Sequence, residues 1–273
     1  MIGFQYYGGK NRSAPWICSL LPPIQTYVEP FCGSLAVLMN RKRSRREIAK
    51  DLDGNVVNFF RVLRTREDDL MRALELTPYA KEEFNAAKDL MKTPVDDELE
   101  RARLFFVIQQ QAMFARQDAS WKFSYASECR AAGRTWDNRI DDLRNIAKRL
   151  HAVEFFCGDG CSVIKSFDSP KCLLYCDPPY DESTRSSKTG YRQDTSDEFQ
   201  DRFLSAIKAS KALIAVSHYP CKLYDNALSG WKRHDMSMNV HSRSNNKAKK
   251  EVLVESLYTN YSAEVGLFEG GMK

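Results

Sequence analysis

A chain of 273 residues with 43% hydrophobic and 28% charged residues can bury one large core and still carry an insertion, and its composition is that of an ordinary globular protein. No apolar run is long enough to span a bilayer, and the N-terminal MIGFQYYGGK is unlike a signal peptide, so a cytoplasmic protein acting away from membranes is expected. The net charge of +5 is gathered into two basic runs, at 40–46 and 242–250, which points to a polyanionic partner. The eight cysteines form no C-x-x-C pair, so reduced thiols are expected and no metal site.

Along the chain, Thr26 to Pro30 reads as a strand, followed by a helix-like segment over Leu35 to Met39. A second strand covers Glu47 to Lys50. A helix then begins at Asn55, with Val56, Val57, Phe59, Phe60 and Leu63 as its apolar positions. Strand, turn, helix, strand, helix is the rhythm of a parallel α/β sheet. From Arg66 to Leu150 the rhythm changes to long amphipathic helices, such as Glu98 to Arg116, and a polar, aromatic-dotted stretch over 117–138. Strand patterns return at Val153 to Phe156, Lys171 to Cys176, Ala212 to Ser217 and Glu251 to Tyr258. The expected organisation is therefore one α/β domain in two pieces, 1–65 and 151–273, with a helical insertion over 66–150.

Four strand ends carry motifs. Glu29-Pro30-Phe31-Cys32-Gly33-Ser34 lies between the first strand and helix, where a glycine turn lets a ligand approach the backbone at the carboxyl edge of the sheet. Asp51 follows Gly33 by 18 residues, close to the spacing of a ribose-hydroxyl acceptor. A dinucleotide loop would need G-x-G-x-x-G, and this one has a single glycine, so a nucleoside without phosphates fits better; S-adenosylmethionine is such a cofactor. Upstream, the Gly-Gly turn at Gly8-Gly9 beside Lys10 suits a carboxylate. Downstream, Asp159 in Cys157-Gly158-Asp159 stands at another strand end, able to accept from an adenine amine.

The last motif is Tyr175-Cys176-Asp177-Pro178-Pro179-Tyr180. Two prolines can neither extend a ladder nor enter a helix, so they stop the strand and hold the next residues stiffly extended. In this order the matches Tyr7-Gly8-Gly9-Lys10, Glu29 to Ser34, Asp51-Leu52-Asp53, Cys157-Gly158-Asp159 and Asp177-Pro178-Pro179-Tyr180 resemble the Dam-type DNA adenine-N6 methyltransferases of the alpha group. Ser217-His218 and Lys249-Lys250-Glu251-Val252-Leu253 add to the likeness, which covers nearly the whole chain.

The resemblance implies a Rossmann-like class I methyltransferase fold, α/β with a mostly parallel seven-stranded sheet, and an inserted helical target-recognition domain. It implies methyl transfer from S-adenosylmethionine to N6 of a flipped-out adenine in double-stranded DNA, by a bacterial or phage enzyme, with a cognate restriction endonuclease as an admissible partner. Tyr7, Lys10, Glu29, Phe31, Gly33, Asp51, Asp159 and Asp177 would bind the cofactor. Asp177, Pro178 and Tyr180 would be catalytic: the Asp177 carboxylate and the Pro178 carbonyl accept from the amine, and the Tyr180 ring stacks on the base. In the insertion, Arg116, Lys122, Arg130, Arg134 and Arg139 are candidates for phosphate or guanine contacts, and the basic runs for phosphate contacts. Two departures stand out: no motif reading GATC is visible, and the late motif lacks the tryptophan many relatives carry. The alternatives are cytosine-N4 methylation, which favours Ser at the Asp177 position, and a silent DNA-binding scaffold.

Overall fold

The computed structural model describes residues 3–6, 8–115, 119–123, 132–180, 196–239 and 252–262. Tyr7, Arg116, Arg130 and the run 242–250 lie outside the described residues. Seven strands form one sheet: β1 (Thr26–Glu29), β2 (Arg46–Asp51), β3 (Val153–Cys157), β4 (Cys172–Cys176), β5 (Leu213–His218), β6 (Lys232–Asn239) and β7 (Val252–Thr259). Their order is β3-β2-β1-β4-β5-β7-β6. The first five run parallel, and β7 pairs antiparallel with both β5 and β6.

Alternation along the strands explains the layering. In β1, Tyr27 faces one core and Val28 the other; in β4, Leu173 and Leu174 divide in the same way. All five residues of β4 are buried, so it reads in sequence as a continuous apolar run rather than an alternating one. One face is covered by α1 (Ala14–Leu20), α2 (Ala36–Asn40), α3 (Gly54–Thr65) and the helices of the 66–150 segment. The other is covered by α8 (Gly160–Ser166), α9 (Asp197–Ala209) and α10 (Lys222–Ala227). Side-chain caps start several helices: Asp53 accepts from the Asn55 N–H at 2.8 Å and Ser196 from the Phe199 N–H at 3.2 Å.

The 66–150 segment folds as α4 (Glu67–Glu75), α5 (Lys81–Leu90), α6 (Glu98–Gln111), a 3-10 turn (Met113–Ala115) and α7 (Ala132–Leu150). Its core is continuous with that of the sheet. Phe106 of α6 stacks on Phe59 of α3 at 5.5 Å, Phe105 meets Phe4 edge-on at 5.1 Å, and Trp136 of α7 packs on Phe106 at 5.4 Å. The helix expected to reach residue 116 stops at Gln111, where Ala112 turns to an extended conformation and bridges antiparallel to Trp121. α7 begins inside the stretch read as polar and aromatic-dotted.

The sequence reading missed β6. Its charged residues alternate with only His234, Met236 and Met238 as partly buried positions, the pattern of an exposed edge strand rather than a core strand.

The first basic run is a correction. It sits at the amino ends of the parallel strands, whereas the motifs lie at their carboxyl ends. Three of its four arginines brace the structure: Arg41 lies 4.0 Å over the Tyr27 ring, Arg43 donates to the Lys148 carbonyl at 3.1 Å, and Arg46 forks onto Glu154. With β2 between them, the run lies about 15–20 Å from the motif edge, too far to grip a phosphate at that site.

Because one core joins α6 to the sheet, truncating it should destabilise the whole unit. Phe105→Ala is expected to cost about 3–5 kcal/mol, read as a lower denaturant midpoint for fluorescence and circular dichroism alike.

Candidate active site

The sheet reverses its winding between β1 and β4: β2 and β3 add on one side, β5 on the other. Such a switch point leaves a crevice beyond the carboxyl ends of the strands. A cleft of about 550 Å³, counted out to its open mouth, lies there. It brings together residues more than a hundred positions apart: Gly8 to Lys10, Glu29, Phe31 to Ser34, Asp51, Tyr175, Asp177 and Pro179. Of the expected cofactor residues described, only Asp159 is not among those lining it.

Each wall has a local cause. Gly33 has φ +45°, a conformation a side chain would strain, and Leu35 follows at φ 58°. The Gly33 N–H donates to Asp51 Oδ2 at 2.8 Å, and the Asp53 N–H donates to Asp51 Oδ1 at 2.9 Å. Asp51 thus pins the glycine turn to the end of β2 and occupies the Gly33 N–H. Phe31 is held edge-on by Phe199 and Phe203 of α9, at 6.1 and 5.6 Å. A methyl group on Gly160 would come within 2.5 Å of the Phe31 ring and 2.8 Å of the Pro30 carbonyl, so only glycine leaves room for that ring.

Asp177 lies just past β4. Its carboxylate is 3.0 Å from Lys10 Nζ, which is also 3.5 Å from Glu255 Oε1 and donates to the Gly8 carbonyl at 3.1 Å. The Tyr180 hydroxyl donates to Glu255 Oε1 at 2.7 Å, and Lys10 Nζ sits 4.6 Å above the Tyr180 ring. Tyr180 is only 6% exposed, with His218 and Tyr219 against it at 4.6 and 4.7 Å. The proline pair is clamped as well: Gln200 of α9 donates to the Pro179 carbonyl at 3.0 Å, and the Tyr224 hydroxyl donates to Gln200 at 2.8 Å.

Burial sets the charge states. Desolvation raises the Asp177 carboxyl to about 6, with Lys10 opposing the rise and Glu255 adding to it. Glu29, at the end of β1, is pushed up to about 8 chiefly by burial, although the Tyr27 hydroxyl donates to it at 2.8 Å. Near neutral pH the cleft therefore holds Glu29 protonated and Asp177 largely ionised.

The remaining expected residues spread outward. Asp159 caps α8, accepting from the Cys161 N–H at 3.2 Å, and pairs with Arg202 at 3.5 Å on the rim. Lys122 reaches Gln5 Oε1 at 3.3 Å and so stands beside the N-terminal wall of the cleft, partly buried, with Arg139 close enough to help lower its pKa. Arg139 pairs with Asp142 at 3.5 Å, and Arg134 is exposed at the start of α7. Three residues that contact the expected site residues were not singled out from sequence: Glu255, Gln200 and Gly160. Glu255 reads as one polar residue in an apolar strand, and Gln200 and Gly160 as ordinary helix residues; only their spatial neighbours mark them.

Residues 6–260 match the D12 class N6 adenine-specific DNA methyltransferases. The chain belongs to that family. It is accordingly an adenine-specific DNA methyltransferase, with S-adenosylmethionine as its cofactor. Comparison with curated proteins returns no match. Among solved structures, the methyltransferase resembles a putative RNA methyltransferase from Pyrococcus horikoshii (9% identity, TM-score 0.39, covering 94% of this chain and 84% of that one). It also resembles the rRNA methyltransferase aviRa from Streptomyces viridochromogenes (14% identity, TM-score 0.31, covering 87% and 76%). A precorrin 8w decarboxylase from Methanobacterium thermoautotrophicum is similar at 10% identity and TM-score 0.38, covering 90% and 86%. The family assignment rests on the sequence match and not on these distant likenesses. No helix among the described residues is long and apolar enough to cross a membrane.

Glu29 makes a testable prediction. Its folded pKa lies above the ordinary carboxylate value, so the folded state holds the extra proton between about pH 4.5 and 8. The associated stability is present below that window and is lost as pH rises through 8. Glu29→Gln keeps an acceptor for Tyr27 without a titrating group. Its thermal midpoint should fall less than the parent's between pH 6 and 9.

Proposed function

We propose that this methyltransferase acts on an adenine flipped out of double-stranded DNA, with Asp177 and the Pro178 carbonyl as acceptors for the two N–H groups of the target amine. The observation that carries this reading is the position of Asp177: a desolvated carboxylate on a proline-stiffened exit from β4, in the switch-point cleft with Lys10, Glu29, Phe31 and Asp51. An adenine amine is a poor nucleophile because its lone pair is delocalised into the ring. Two acceptors fixed on its protons favour the pyramidal nitrogen, whose lone pair is then free to attack. The clamp from Gln200 and Tyr224 on the proline pair means the acceptors need not reorganise during the reaction.

When bound, S-adenosylmethionine supplies an activated methyl as a sulfonium. The cleft suits such a group: the Asp177 carboxylate complements a cation, Asp51 would accept from a ribose hydroxyl in exchange for one of its present donors, and Phe31 offers apolar surface. Lys10 is the candidate for the cofactor's carboxylate, and it would release the Gly8 carbonyl to serve while keeping Asp177 and Glu255. Tyr180 would contribute an aromatic wall to the base pocket, with Lys10 or Tyr219 moving aside for a stacked base. Asp159 on the rim would accept from the cofactor's adenine amine in exchange for Arg202.

We assign target recognition to the 66–150 segment. Lys122 and Arg139 lie together beside the N-terminal wall, where a duplex opened over the cleft would pass, and Arg134 extends the same helix. Phosphate contacts there offset the cost of extruding a base, a few kcal/mol. The retained acid at 177 favours adenine over cytosine, and an intact cleft argues against a silent scaffold.

The deciding experiment is transfer of labelled methyl from S-adenosylmethionine to genomic DNA free of adenine methylation, with products digested and N6-methyladenine quantified. Asp177→Ala should abolish transfer; undiminished labelling by that variant would remove the reading. For the parent, kcat/KM should fall as pH drops through about 6, because protonation of Asp177 removes the acceptor.

A further inference from the structure

The methyl-transfer reading uses Asp177, Pro178 and Tyr180 but leaves Glu255 without a role. This acid lies in β7, in the middle of an apolar strand, and is 2% exposed. A buried carboxylate is costly unless paired and hydrogen-bonded. Its two contacts both belong to the site: the Tyr180 hydroxyl at 2.7 Å and Lys10 Nζ at 3.5 Å. Lys10 in turn lies 3.0 Å from Asp177, so one ammonium is shared between two carboxylates carried by elements remote in sequence.

Sharing has a chemical consequence. A carboxylate in sole possession of a neighbouring ammonium is a weak base and a weak acceptor, because its charge is already compensated. A second acid on the same ammonium dilutes that compensation and repels the first, so the first stays electron-rich. We propose that Glu255 is a positioning residue for methyl transfer, drawing Lys10 partly off Asp177 so that Asp177 remains a strong acceptor for the target amine, while its hydrogen bond fixes the Tyr180 ring. The proposal rests on Asp177 as the amine acceptor.

The groups facing Asp177 are consistent with this account. Lys10 approaches from the N-terminal segment, Glu29 from β1, Tyr175 and Cys176 from β4, Tyr180 from the segment after it, and Glu255 from β7. Among these described residues, Lys10 is the only cation. Burial is the largest influence raising the Asp177 carboxyl, and Glu255 is the named charge that raises it further.

The test is the pH profile of kcat/KM for the full chain, measured with labelled S-adenosylmethionine and adenine-methylation-free genomic DNA. Glu255→Gln keeps the shape and an acceptor for the Tyr180 hydroxyl while removing the charge. Its acid limb should move to lower pH and its plateau should fall, a joint change that loosened packing would not produce. Glu255→Asp keeps the charge and should retain the parent's acid limb even if the shorter side chain loosens Tyr180. An unmoved or raised acid limb in Glu255→Gln overturns the proposal. So does a limb lowered equally by Glu255→Asp; if the glutamine form does not fold, Glu255→Met, which also removes the charge, is read in its place. If Asp177→Ala still transfers methyl, the amine-acceptor reading itself is wrong; if only the Glu255 limb fails to move, that reading stands and this inference falls.

Discussion

An ammonium buried between two carboxylates is the interaction on which the site's organisation depends. Lys10 ties the N-terminal loop to the exit from β4 through Asp177 and to β7 through Glu255. Buried charges are tolerated only with close partners, so these three segments must pack together before any of the three side chains is stable in place. The same requirement brings the Tyr180 ring under Lys10 and the Tyr180 hydroxyl onto Glu255. Two acids sharing one ammonium leave the negative charge of the cleft only partly compensated.

Around that cluster the structure supplies stiffness rather than flexibility. Two prolines fix the backbone after Asp177, and a glutamine held by a tyrosine holds the second proline's carbonyl. Asp51 staples the glycine turn after β1 to the end of β2 through Oδ2 and holds its own loop through the Asp53 N–H on Oδ1. Phe31 is caged between α9 and a glycine that leaves it no spare room. Dipoles held in this way stabilise developing charge without moving, which is the main advantage a protein site has over water.

Much of this could be read from the chain. The positions of six strands, the α/β rhythm and the four acidic strand ends were legible because each is local: an apolar run, a turn residue, an acid at its close. Lys10, Glu29, Phe31, Gly33, Asp51 and Asp177 do meet in one cleft, as their motifs implied. Asp159 was placed at the correct strand end, but α8 and Arg202 engage it on the rim. The run at Arg41 to Arg46 looked like a nucleic-acid surface, because a sequence shows charge and not the partners that charge finds in space. β6 escaped notice for the converse reason: an edge strand has little apolar pattern to display.

The sequence by itself determined the class of fold and the chemistry of the strand ends, since hydrophobic period and residue type act over a few neighbouring positions. Only the tertiary structure decided which acids share an ammonium, which arginines serve the scaffold, and that the helical segment shares its core with the sheet. Those outcomes depend on residues as distant as Lys10 and Glu255, or Phe4 and Phe105, coming within a few ångströms. Coulombic and packing energies depend steeply on such distances, and nothing in the spacing along the chain reports them.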